Sequence, residues 1–153
     1  MTDPNAAFAA LHAAADAAAG ARLFTVTVLD RKAGLARRAY TSHPDAYPAT
    51  GTKPMRSDAW SVQVIDGGRS FVANSTPEFA IYFSDHALIN ALGCESALNI
   101  PVSDGTQVVG TVNVLDAAGH FTPERVAVLE RLVAEHRPAL LAAMAQVPME
   151  NPA

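Results

Sequence analysis

Two β-branched runs, ARLFTVTVLD (21–30) and QVVGTVNVLD (107–116), constrain this chain more than any other feature. Alternating Val and Thr pack well on a pleated surface and crowd a helix, so both runs are read as strands. RKAG follows the first run and turns the chain, and LARRAYTS (35–42) returns as the other half of a hairpin. CESALNIPV (94–102) is a further strand, joined to the second run by the turn SDGT. SFVA (70–73) adds a brief one. Short turns between strands make the expected sheet mostly antiparallel, with five to six strands.

Helices bracket that sheet. Residues 4–19 are capped by Asp3, begin with Pro4 and stop at Gly20, and Phe8, Leu11 and Ala15 fall on one face. At the other end Thr122 caps, Pro123 takes the first helical position, and Val126, Leu129, Val133, Leu140 and Met144 line one side. Pro138 is expected to kink that helix or end its first part. Between them, Ser57 is expected to cap a helix over 58–66, and Ser84 one over 85–92 that Gly93 ends. TPEFAIYF (76–83) is apolar but opened by proline, and fits either strand or helix. The reading is a single α+β domain over 1–153 with a frayed tail at 146–153. Its two long helices share one face of the sheet, and loops and short helices cover the other.

Composition excludes several function classes. The net charge is −4 with no basic run, so nucleic-acid binding has no electrostatic footprint. A single cysteine, Cys94, excludes an internal disulfide and a multi-cysteine metal site. The histidines show no H-x-H or H-E-x-x-H spacing, so no metal is expected. The alanine-rich start has no positive n-region, and no run reaches 18 uninterrupted apolar residues. The expectation is a cytoplasmic protein without a membrane span.

The hairpin LFTVTVLD…LARRAYTS, the segment GCESALNIPV, and VVGTVNVLD followed by FTPERVAVLERLVAE together resemble a GAF domain, of the GAF/PAS class of small-molecule sensors. The resemblance covers nearly the whole chain. It implies a pocket enclosed by the loops and short helices opposite the long helices. Bilin-binding relatives attach chromophore through a cysteine commonly followed by His, whereas Glu95 follows Cys94 here, so no covalent bilin is expected. Methionine-sulfoxide reductases of this fold cycle through more than one cysteine, and the cyclic-nucleotide signature N-K-x-F-D-E is not found. The cofactor stays unknown.

Within that frame the long connection YTSHPDAYPATGTKPM (40–55) gains a role. Tyr40, Ser42, His43 and Tyr47 become wall or lid residues with Trp60 beneath them, or the loop is a proline-stiffened cover for the core. Asn99 and Asn113 stand mid-strand, where asparagine is disfavoured, and either aim amides at a ligand or tie down a loop. Asp85 and His86 fall at a helix start, where the dipole favours a neutral imidazole suited to hydrogen bonding. Cys94 lies past a helix end, which disfavours thiolate and suits a buried structural role. Arg37 and Arg38 point to opposite faces, one as an anion clamp or both in surface ion pairs. Gly110 fits close approach of a neighbouring backbone or helix. The expected function is a small-molecule-binding signalling module, homodimeric through its terminal helices. The alternative is a small enzyme of this fold acting on a compact polar metabolite through Tyr40, His86 or Cys94.

Overall fold

The computed structural model describes residues 3–49 and 52–147. Six strands form one antiparallel sheet in the order β3-β2-β1-β6-β5-β4. They are β1 (Leu23–Asp30), β2 (Leu35–Thr41), β3 (Thr52–Pro54), β4 (Phe71–Ala73), β5 (Ser96–Ser103) and β6 (Val108–Asp116). The two β-branched runs lie side by side at the centre, with Thr25 opposite Asn113 and Val26 opposite Val112. Gly110 permits that approach: a methyl there would collide with the Thr27 carbonyl and press on Met144.

Helix α1 (Pro4–Ala19) and helix α5 (Pro123–Ala145) lie together on one face. Asp3 accepts from the Asn5 amide and Thr122 from the Arg125 amide, so both expected caps are formed. Phe8, Leu11 and Ala15 bury against Phe24, Val26, Leu98, Val112 and Val114 from the sheet, and Leu129, Val133 and Leu140 close the core from α5. The last helix runs unbroken through Pro138. Leu129 and Val133 before the proline and Leu140 and Met144 after it are buried, and that packing offsets the backbone bond that Pro138 cannot donate. Of the expected tail, Gln146 caps the helix and Val147 is buried in the core, while 148–153 lie outside the described residues.

Short elements cover the opposite face. A single α turn, α2 (Ala59–Ser61), opens into a π-helical stretch at Val62–Asp66, closed by the Gly67 amide donating to the Val62 carbonyl at 2.8 Å. The cap is Asp58 rather than the expected Ser57, because Asp58 and Ser61 exchange side-chain bonds with each other's amides in a capping box. TPEFAIYF is helical at α3 (Thr76–Ala80), and α4 (His86–Ala91) follows. The latter starts one residue later than expected, with Asp85 and not Ser84 at its cap position. Strand β3 was not foreseen, since its sequence, Thr-Lys-Pro, has no strand period.

Candidate functional site

Along the central strands, Thr25, Thr27, Asn99, Thr111 and Asn113 turn away from the helices towards the short elements. They floor a cavity of about 660 Å³. Thr25, Asn113 and Asn99 stand in one row across β1, β6 and β5, an arrangement set by register. Their polarity is organised from one end. The Trp60 indole N–H can only donate, and it bonds Asn99 Oδ1 at 2.9 Å. That fixes the Asn99 amide, whose Nδ2 donates to Asn113 Oδ1 at 2.8 Å. Asn113 Nδ2 must then donate onward, reaching the Thr25 and Thr27 hydroxyl oxygens at 3.1 Å each. Trp60, in the short helix α2, thus orients the Asn99 amide on β5 and through it the Asn113 amide on β6.

Walls and mouth come from the short elements together with side chains of β2, β3 and β6. Trp60, Phe83, Ile65, Ile89 and Leu115 supply apolar surface. Trp60 and Phe83 meet edge to face, with centroids 6.5 Å apart. At the mouth, Asp85 accepts a hydrogen bond from the Tyr47 hydroxyl. Arg38 Nη2 lies 3.6 Å and Lys53 Nζ 3.7 Å from the same carboxylate oxygen. The Arg38 guanidinium also stacks 3.7 Å over the Tyr47 ring and donates to the Pro48 carbonyl at 2.9 Å. Burial first, then the Asp85 bond and charge, push the Tyr47 phenol well above its ordinary range, so it stays a hydrogen-bond donor.

Five of the expected ligand contacts therefore line the cavity: Tyr47, Trp60, Asp85, Asn99 and Asn113. Asn99 both faces the cavity and ties down the Trp60 region. Tyr40, Ser42 and His86 do not line it. A β-bulge is the reason for Tyr40: Val26 pairs with Tyr40 but Thr27 with Arg38, so Ala39 is the extra residue. The side-chain alternation flips there. Arg38 faces the cavity, whereas Tyr40 packs against Phe8 and Phe24 and bonds His12 Nδ1 at 3.2 Å. Ser42 Oγ is occupied by the Phe24 amide at 2.9 Å and by His43 at 2.8 Å. His86 Nδ1 donates to the Phe83 carbonyl at 2.8 Å, which holds the loop before α4.

Tyr40, His86 and Cys94 are not gathered into one site. Cys94 is fully buried beside Phe79, Ile89 and Leu115, and burial followed by the Asp116 charge pushes its thiol up to about 11. Among the described residues no three His, Cys, Asp or Glu side chains cluster as a metal site requires, and no helix is long and apolar enough to cross a membrane. Sequence reasoning overlooked Thr25, Thr27, Thr111 and Lys53. The threonines were legible as the polar half of TVTV and GTVNV, two adjacent strands with polar residues in phase.

Comparison with known proteins bears on the fold. The family model of the GAF domain matches residues 2–139. No curated protein matches the chain. Among solved structures, the chain is similar to a GAF domain/HD domain protein from Geobacter sulfurreducens, at 13% identity and TM-score 0.74, covering 97% of this chain and 99% of that one. It is also similar to the GAF domain of a phosphoenolpyruvate-protein phosphotransferase from Coxiella burnetii, at 14% identity and TM-score 0.74, covering 95% and 87%. The second GAF domain of DevS from Mycobacterium smegmatis is 19% identical with TM-score 0.66, covering 94% and 97%.

Proposed function

Because the chain belongs to the GAF domain family, we propose that it is a cytoplasmic ligand sensor whose cavity on the strand face opposite α1 and α5 captures a small metabolite. GAF domains are in general small-molecule-binding sensor modules. The observation that carries the reading for this chain is the cavity itself. Its volume of about 660 Å³ suits a compact ligand, and a largely apolar wall meets a few placed polar groups on its floor. Tyr47 acts as a lid residue, held by Asp85 and Arg38.

Output passes through a second copy or a partner. Helix α1 turns Ala6, Ala9, Ala10 and Ala13 outward, and this small-residue surface lets another helix approach closely, giving a homodimer through the terminal helices. A monomer at micromolar concentration in light scattering removes that part of the proposal.

Trp60 is the only tryptophan and lines the cavity, so its emission reports occupancy directly. Intact native mass should reveal a co-purified ligand, and a metabolite panel should shift Trp60 emission for at least one compound. Tyr47→Ala should weaken that compound about tenfold, the scale of one lost charge-linked hydrogen bond. Unchanged affinity in Tyr47→Ala defeats the lid role.

A further inference from the structure

The cavity carries a charge bias opposite to that of the whole protein. Among the described residues its charged lining consists of Arg38, Lys53, Arg56 and one acid, Asp85, in a chain of net charge −4. Arg56 has its own partner, Asp58, at 3.7 Å. Arg38 and Lys53 share Asp85 and neither reaches hydrogen-bond distance, at 3.6 and 3.7 Å. The oxygen they share is already engaged by Tyr47. Two cations are thus held beside one carboxylate that is committed elsewhere. Among the described residues the hydrogen bond that Arg38 donates runs from Nη1 to Pro48, and Nη2, paired with Asp85 by charge alone, can turn to a new acceptor.

The floor asks for the same chemistry. The Trp60 indole sets the direction of every amide after it, so Thr25 and Thr27 receive hydrogen bonds on their oxygens. Among the described residues no acceptor takes their hydroxyl protons, and Thr111, which pairs with Thr27 across the strands, lines the cavity beside them. Donors therefore face the cavity from below and cations from the mouth.

We propose that the cavity selects a small organic anion, whose carboxylate or phosphate takes Arg38 and Lys53 from Asp85 while a second acceptor atom meets the threonine hydroxyls. This rests on the ligand-binding reading above. Asp85 is the internal competitor for the two cations, and its displacement would release Tyr47.

Calorimetry with four probes of one shape tests it: 2-naphthoate, 2-naphthyl phosphate, 2-naphthamide and the ammonium 2-naphthylmethylamine. At low salt one of the two anions should bind at least about tenfold tighter than the amide, a margin that narrows as salt screens the mouth. The ammonium should be weakest. Lys53→Met, at a mostly exposed side chain, should erase several-fold of the anion's margin and leave the amide unchanged. Asp85→Asn should tighten the anion, because the competitor loses its charge and keeps an acceptor for Tyr47. An amide or ammonium that equals the anions, or an Asp85→Asn variant that weakens them, overturns the charge preference while leaving a ligand site in place. If none of the four binds up to millimolar concentration and no ligand co-purifies, the proposal falls together with the ligand-binding reading.

Discussion

The same three strands present two different surfaces. Towards α1 and α5, Phe24, Val26, Leu98, Val112 and Val114 interlock with helix side chains and are almost wholly buried. One residue along each strand, Thr25, Asn99 and Asn113 turn the other way and are buried too, yet they meet each other's polar atoms and a cavity. The helix side is close-packed because long amphipathic helices can tile an apolar face continuously. The other side is tiled only at its ends. Phe79, Ile89, Cys94 and Leu115 form one small apolar cluster, and Val64, Ile65 and Val108 form another. A space is left between them, and polar residues are affordable there only because each amide finds a partner. Stability is concentrated on one side and recognition on the other.

The largest test of that contrast is truncation on each side of β1. Phe24 is fully buried and stacked on His12 with centroids 5.0 Å apart, so Phe24→Ala should cost about 3–5 kcal/mol in denaturant unfolding. Thr27→Val, three positions on and facing the cavity, should cost no more than about 1 kcal/mol, since Asn113 keeps Thr25 as a partner. Similar costs for the two would erase the distinction between the faces.

A smaller effect sharpens the account of the polar row. Asn99→Leu strands both the Trp60 indole N–H and Asn113 Oδ1, and should destabilise by about 1–2 kcal/mol. Trp60 emission should move with it, because the indole loses its acceptor. Unaltered emission together with unaltered stability would mean that the row is not coupled to Trp60.

A further effect, read in pH dependence, lies in the apolar cluster under the cavity's end. The Cys94 thiol is raised from 9.0 to about 11, so the folded protein holds that proton where the unfolded chain releases it. Its contribution is present in full below pH 9 and is lost as pH rises from 9 towards 11. Tyr47 is shifted in the same direction, so the comparison must be with Cys94→Ala, whose stability should fall less steeply over that window. Iodoacetamide labelling of native Cys94 should be slow and keep rising through alkaline pH. A rate that levels near neutrality would show an exposed, activated thiolate instead.

Much of the fold was open to reading because its signals are local. The β-branched runs, the Asp3 and Thr122 caps, and the Phe8–Leu11–Ala15 stripe each depend on neighbours within a few residues. The midsection was harder, since Asp58 and Ser61 settle its first cap between themselves and the π-helical stretch has no propensity signature. For the site, Tyr47, Trp60, Asp85, Asn99 and Asn113 stood out as polar or aromatic residues in places that need a reason for them. Tyr40 misled for a physical reason: the extra residue at Ala39 reverses the alternation on which any reading of strand faces depends.

What the sequence determined by itself is thus the antiparallel sheet, its flanking helices and the family that they mark. Only the tertiary structure decided which residues meet. Asn113 reaches Thr25 across 88 positions of chain and Tyr47 reaches Asp85 across 38. Periodicity can say that a side chain leaves its strand on a given face, but the partner it finds there is chosen by register and by a bulge. Both are settled when the strands pair, and neither is written in any single strand.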